Sequence, residues 1–230
     1  YTSGTTGPPK GVQLSHDNLI SAVSSVKDLV EFPDGAHVIS WLPAAHVAER
    51  VAHHYLPLMF GFTVTSCANP KEIVGYLPQV RPHWFFAVPR IWEKLKAGLE
   101  AMVQGKPEGE RAAFEQALAV SRKRVQLRQQ GAEVPAEIEA AATQADEELF
   151  AGLRTMLGLD RVVTVNVGAA PTPFEVLEFF HAIGIEIAEL WGMSETCGAG
   201  TINPPDAIRL GTVGPPLHGV EITIAEDGEV

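Results

Sequence analysis

Cysteine is scarce: Cys67 and Cys197 are the two in 230 residues, they lie far apart, and they have neither metal-ligand spacing nor the density of a disulfide-stapled secreted domain. A reducing, cytoplasmic setting is the expectation. Basic charge is scarce too. Seventeen Lys and Arg stand against 28 Asp and Glu, a net charge of −11, which argues against nucleic acid as a partner held by bulk charge. No apolar run reaches the ~18–20 residues that span a bilayer, and residue 1 opens neither a charged signal-peptide start nor an initiator Met. The last residues, Glu226-Asp227-Gly228-Glu229-Val230, stop at a turn leading into a strand. Both ends are therefore expected to continue in a longer protein. No internal repeat or low-complexity tract interrupts the chain.

What is present is 46% hydrophobic and 20% charged, the balance of a water-soluble chain that can bury a sizeable core. The 21 Gly and 17 Pro predict many turns. Short β-branched runs at 37–42, 62–67, 84–88, 162–167, 186–190 and 220–225 read as strands. Helical patterns lie between them at 17–30, 47–60, 71–80, 91–103 and 174–183. The last is given a start signal by Thr172 as N-cap, Pro173 in the first turn and Glu175 three residues after the cap. This alternation predicts an α/β fold of layered, mostly parallel sheets flanked by helices, with ligands at the carboxyl ends of the strands. The middle breaks the rhythm. From 108 to 157 the pattern is polar and helical, with Phe114, Leu118 and Val125 on one stripe and Ile138, Ala142, Ala145, Leu149 and Leu153 on another. Residues 131–135 mark the turn of a surface hairpin packed on the sheet.

The strongest chemical signal is Tyr1-Thr2-Ser3-Gly4-Thr5-Thr6-Gly7-Pro8-Pro9-Lys10-Gly11. Small hydroxyl residues interleaved with glycines let N–H and O–H groups converge on phosphate oxygens, and Lys10 adds positive charge. It is not the Walker pattern, which needs Gly before the Lys and Ser or Thr after it. A second cluster, Glu189-Leu190-Trp191-Gly192-Met193-Ser194-Glu195-Thr196, follows a predicted strand. Trp191 offers a flat face for a base, Ser194 a hydroxyl for phosphate and Glu195 a hard oxygen for Mg²⁺. There is no Ser-His-Asp or Cys-His set despite eight His. His53, His54, His83, His181 and His218 read as surface or packing residues, and Cys197 as a small buried side chain.

Together these motifs resemble the adenylate-forming superfamily of acyl-CoA synthetases, luciferases and non-ribosomal adenylation domains. TSGTTGPPKGV is similar to its phosphate loop, WGMSET to its Tyr-Gly-x-Thr-Glu motif, and GTVGPP at 211–216 to its Gly-x-x-Gly-x-Pro motif. WLPAAHVAER at 41–50, FFAVPRIWEKL at 85–95, VGAAP at 167–171 and a helical insert at about 106–157 resemble the long-chain fatty acyl-CoA synthetase branch. The resemblance covers residues 1–230 and implies the central, AMP-binding part of that family's large domain, without its mobile C-terminal domain.

The implied reaction activates a fatty acid with ATP and Mg²⁺ to acyl-AMP, and coenzyme A as co-substrate then displaces AMP. By position in the motifs, Ser3, Gly4, Thr5, Thr6, Gly7 and Lys10 would hold the β- and γ-phosphates. Gly168, Ala169, Ala170 and Pro171 would line the adenine, with Ala169 where the family usually has a second Gly. Trp191 and Gly192 would complete the adenine site, Trp191 by stacking. Ser194 would bond the α-phosphate, Glu195 would ligate Mg²⁺, and His46 would stand near the carboxylate being activated. Taken alone, residues 1–230 are expected to lack ligase activity. Weak, peripheral membrane contact is expected from the lipid-like substrate. Rival readings are the adenylation domain of a carboxylic acid reductase, a fatty acyl-AMP ligase that loads a carrier protein, and a non-catalytic nucleotide or acyl-adenylate sensor.

Overall fold

A computed structural model describes Thr2 and residues 7–230. In chain order the elements begin with α1 (His16–Lys27), β1 (His37–Ser40), α2 (Val47–Arg50), α3 (Leu56–Phe60), β2 (Thr63–Ser66), α4 (Ile73–Val80), β3 (Trp84–Ala87) and α5 (Pro89–Gln104). They continue with α6 (Glu108–Gln129), α7 (Ala136–Ala145), α8 (Ala151–Leu157), β4 (Thr164–Val167), α9 (Phe174–Ala182), β5 (Ile187–Met193) and β6 (Gly198–Ile202). β1 and β2 form a parallel pair, and β3-β4-β5-β6 form a second sheet that is parallel except for its last strand. Layered, mostly parallel sheets flanked by helices are thus present as the strand–helix alternation predicts. The two sheets meet where the His83 N–H donates to the His37 carbonyl at 2.8 Å and the His37 N–H donates to His83 Nδ1 at 2.9 Å. No helix among the described residues is long and apolar enough to cross a membrane.

Strands β3 and β4 are buried at every position, as strands covered on both faces must be. One core lies beneath them, where α5 presents Pro89, Trp92, Leu95, Leu99 and Val103 at helical spacing. Trp92 is fully buried, with its ring edge-on to Phe85 and Phe180 at 5.7 and 5.1 Å between centroids. Each such burial stabilises the fold by about 2–3 kcal/mol. The helical hairpin joins this core through Phe114 and Ala117 of α6 and Ala145 and Phe150 further on, with Val125 and Ala142 also buried, while Leu118, Leu149 and Leu153 pack at its margin. Arg154 ties the insert down by pairing with Asp146 and donating to the Ile183 carbonyl at 2.9 Å. The second core, Val23, Ala36, Val38, Ala52, Leu56, Phe62, Trp84 and Phe86, fills the space between the sheets and α1.

Four differences from the sequence-based expectation have physical causes. The helix expected over 47–60 is continuous but contains a π turn at Val51–Tyr55, which re-aims the residues after it. The Thr172 cap does not form. Pro173 takes an extended conformation (φ −57°, ψ 131°) and becomes the N-cap itself, so α9 starts at Phe174 and Glu175 no longer stands three residues past the cap. Residues 220–225 are not a strand, because no neighbouring strand among the described residues offers them a ladder. Strand β6 has no counterpart among the expected strands, since two of its five residues are glycine and weaken the β signal.

Candidate functional site

The carboxyl ends of β4 and β5 carry two of the expected clusters. β4 runs into Gly168-Ala169-Ala170-Pro171. Gly168 presses on the next strand: a Cβ there would lie 2.7 Å from Leu190 Cδ1 and 3.0 Å from the Leu190 carbonyl oxygen. Ala169 adopts φ 69°, a left-handed conformation that costs a residue with a Cβ about 1–2 kcal/mol. The backbone here has the shape that a glycine suits, and alanine occupies it under strain. Ala169→Gly is expected to raise stability by about 0.5–1 kcal/mol, the relief of strain exceeding the entropy glycine adds to the unfolded chain. A denaturant midpoint that falls would contradict this.

β5 does not stop before the Trp191–Thr196 cluster; it carries it. The strand extends to Met193 and folds back through a turn into β6, with Trp191 opposite Thr201, Gly192 opposite Ala199 and a bulge between Trp191 and Gly192. Gly192 is required by packing, since a Cβ would lie 1.8 Å from the Gly198 carbonyl oxygen. Trp191 lies against Gly200, where a Cβ would be 3.0 Å from Cζ3 of the indole. Thr196 closes the turn. Its Oγ1 accepts from the Met193 N–H at 3.0 Å and donates to the Gly198 carbonyl at 2.7 Å. Ser194 and the exposed Glu195 are therefore held at the tip. Cys197 is buried with φ 57°, and desolvation pushes its thiol pKa up, which keeps it a packing group rather than a thiolate.

An apolar cleft, about 880 Å³ with its part open to solvent, lies beside this hairpin. Val26, Phe32, Val51, Leu56, Trp84 and Phe86 line it, and Ala169 and Gly192 form part of its wall. Its polar groups are few. Asn166 is locked by accepting from Trp84 Nε1 at 2.7 Å and donating to the Ala188 carbonyl at 3.2 Å. His46 also lines the cleft as the N-cap of α2, where its Nδ1 accepts from the Ala48 N–H at 3.1 Å. That bond leaves Nε2 as the nitrogen free to meet a ligand.

Two anchoring groups lie inside motifs the sequence displays but were assigned no role from it. Glu49, one turn beyond His46, is buried and accepts from Ser40 Oγ, the Leu42 N–H and His53 Nδ1. Burial alone would raise its pKa, but these donors hold it below the ordinary carboxylate value. Glu189, buried on β5, accepts from the Gly211 N–H at 2.8 Å, and desolvation pushes its pKa up. The 211–216 loop it holds is also fastened by Asn203 to Thr212 and Arg209 and runs back along β6 through the Thr201–Pro216 bridge. Neither acid carried a signal distinguishing it from a solvated surface carboxylate.

Placement of the other expected residues is uneven. His46, Ala169 and Gly192 line the same cleft. Gly168, Ala170 and Pro171 adjoin it on the loop after β4, and Trp191, Ser194 and Glu195 adjoin it on the hairpin. Lys10 is exposed and bridged to Thr2, whose N–H donates to the Lys10 carbonyl at 2.8 Å. Gly7 is exposed; Ser3, Gly4, Thr5 and Thr6 lie outside the described residues. No hydrogen bond or ion pair among the described residues joins Lys10 to the Ser194–Glu195 turn.

Comparison with known proteins identifies the family and the fold. The family described as AMP-binding enzyme matches residues 1–230. A Mycobacterium tuberculosis protein provisionally named fatty-acid–CoA ligase fadD11 is 44% identical over 230 residues, covering 100% of this chain and 40% of that protein. Long-chain-fatty-acid–CoA ligase ACSBG2 of Gallus gallus is 36% identical over 231 residues, covering 97% of this chain and 30% of that one. The chain thus spans well under half the length of the curated relatives it matches. Among solved structures, O-succinylbenzoate coenzyme A synthetase from Bacillus subtilis in complex with AMP superposes with a TM-score of 0.64 at 21% identity, over 100% of this chain and 46% of that one. The inhibitor-bound N-terminal domain of FACL13 from Mycobacterium tuberculosis gives 0.62 at 23% identity, over 100% and 45%. These two likenesses establish the α/β fold.

Proposed function

The chain belongs to the AMP-binding enzyme family, and on that premise we propose that it is the central part of the large domain of an ATP-dependent ligase that activates long-chain fatty acids. In the first step a carboxylate oxygen of the acid attacks the α-phosphorus of ATP and the bond to the bridging oxygen breaks, releasing pyrophosphate and leaving acyl-AMP. In the second, the sulfur of coenzyme A attacks the acyl carbonyl, the thiol proton is lost and AMP departs. The substrate carboxylate supplies the first nucleophile, so no activated side-chain nucleophile is called for. What the chain contributes is position and charge.

The observation that carries the fatty-acid reading is the cleft. Its lining is aliphatic and aromatic, with Asn166 already engaged and His46 left to meet a polar head group, which suits a long alkyl chain and disfavours an amino-acid side chain rich in polar atoms. The names of the curated relatives, several of them long-chain-fatty-acid–CoA ligases, support the same choice. His46 would face the acid's carboxylate. Gly168, Ala169, Ala170 and Pro171 would form the adenine wall, completed by Trp191 and Gly192. Ser194 would donate to the α-phosphate, and Ser3, Gly4, Thr5, Thr6, Gly7 and Lys10 would hold the terminal phosphates.

Mg²⁺ would accompany ATP; a synthetase of similar fold has been solved in complex with ATP and magnesium ion. The residues fit that arrangement. No group of three or more metal-ligating side chains exists among the described residues, and Glu195 offers an exposed carboxylate without an ion-pair partner among them. A single carboxylate plus phosphate oxygens is how a magnesium–nucleotide is commonly held. The ion would supply charge neutralisation at the phosphates.

The test is pyrophosphate release by the full-length protein over C6 to C20 fatty acids, with aromatic and amino acids as controls. Release is expected only with fatty acids. A preference for amino acids would overturn the fatty-acid assignment, and binding of ATP without acid-dependent release would favour a sensor. Acyl-AMP that accumulates and yields no thioester on adding coenzyme A would point instead to a carrier-protein or reductase acceptor.

A further inference from the structure

Glu49 is 1% exposed and does not line the cleft, yet its carboxylate is the most heavily engaged acid near it. Oε1 accepts from Ser40 Oγ at 2.5 Å; Oε2 accepts from the Leu42 N–H at 3.1 Å and meets His53 Nδ1 at 2.7 Å. Since a carboxylate can only accept, His53 Nδ1 carries the proton. These partners come from two sides of one loop. Ser40 ends β1 and Leu42 is the second residue of the 41–46 loop, while His53 sits in the π turn that follows α2. Glu49 therefore clamps the entry of the loop to the helix into which it leads. His46 is the last residue of that loop and the first cap of that helix, and Val47, Ala48, Val51 and Ala52 on the same stretch form cleft wall.

Stability does not account for a carboxylate at this position. A buried ion pair returns little net free energy once its desolvation is counted, and an apolar side chain of similar volume often serves as well. What an apolar side chain cannot do is hold Ser40, the Leu42 N–H and His53 to one point. We propose that Glu49 is a positioning residue, its clamp fixing where His46 stands in the cleft and hence how the acid is aligned for attack. This rests on the reading that the cleft takes the acid.

The experiment uses the full-length protein with Glu49→Leu, Glu49→Gln, His46→Ala and the double variants, read by imidazole nitrogen NMR of His46 and by acid-dependent pyrophosphate release. In Glu49→Leu the His46 Nδ1 signal is expected to lose its hydrogen-bonded character, and kcat for acyl-AMP formation to fall about 10²-fold, with the KM for ATP unchanged. Glu49→Gln, whose amide oxygen can still accept from the Leu42 N–H and His53 Nδ1 while its NH2 donates to Ser40 Oγ, should recover to within about tenfold of the parent. Adding His46→Ala to either variant should cost little more, because the two residues act as one unit. An unaltered His46 signal in a folded Glu49→Leu protein overturns the proposal, as does additive loss in the double variant. If Glu49→Leu does not fold, the Glu49→Gln cycle with His46→Ala decides by the same criterion. Absence of acid-dependent release from the parent protein would refute the ligase reading alone, and the NMR comparison would still decide whether Glu49 sets His46.

Discussion

Glu195→Gln is expected to lower acid-dependent pyrophosphate release roughly 10²–10³-fold, the usual consequence of removing one group that stabilises charge in a transition state, while thermal unfolding stays unchanged. The fold does not use this carboxylate. It is exposed at the tip of the β5–β6 turn, and the turn is closed by Thr196 Oγ1 and by the Cys197 N–H donating to the Ser194 carbonyl at 3.1 Å. Glutamine matches its size and retains one neutral oxygen, so the substitution removes charge and little else. A weaker oxygen ligand also raises the Mg²⁺ concentration needed for half-maximal rate. Turnover that matches the parent across a Mg²⁺ titration would remove Glu195 from the metal role.

Whatever depends on periodicity was legible in the sequence, and whatever depends on a distant partner was not. The buried runs that become β3 and β4 are apolar except for Thr164 and Asn166, and Asn166 is held by a tryptophan 82 positions away. The helix of the cleft wall was legible as a helix, but the π turn at Val51–Tyr55 leaves no compositional mark. Glu49 shows the same limit more sharply. In a helix beginning Val-Ala-Glu-Arg an acid reads as a solvated face; its burial follows from where β1 ends. Thr172-Pro173-x-Glu175 misled because the pattern fits a capping box, whereas the proline's extended conformation moved the helix start by one residue. The chemical motifs were the readable part of the site because they are contiguous. That Ala169, Gly192 and His46 line the same cleft follows from strands β4 and β5 being neighbours and from the β5–β6 hairpin packing on the π turn, where a Cβ on Gly198 would lie 3.2 Å from Val51 Cγ2.

That hairpin is also where one methyl group should do most damage to structure. Gly192→Ala would place a Cβ 1.8 Å from the Gly198 carbonyl oxygen and 2.6 Å from its carbon, and both contacts are backbone, with no side chain that could swing away. β5 and β6 must separate or the bulge at Trp191/Gly192 must be rebuilt. Overpacking of this kind typically costs 1–3 kcal/mol and more where nothing yields, so a loss of at least about 3 kcal/mol is expected in a denaturant titration. Because Trp191, Ser194 and Glu195 ride on the same hairpin, adenylation should be lost even in whatever fraction remains folded. The matched control is Gly98→Ala in the middle of α5, where an added Cβ meets nothing within 4 Å; there alanine should stabilise by about 0.5–1 kcal/mol through its higher helix propensity. A Gly192→Ala protein as stable as its parent would mean that the bulge is free to relax, and that the closeness of β6 to this glycine is not what fixes the turn carrying Glu195.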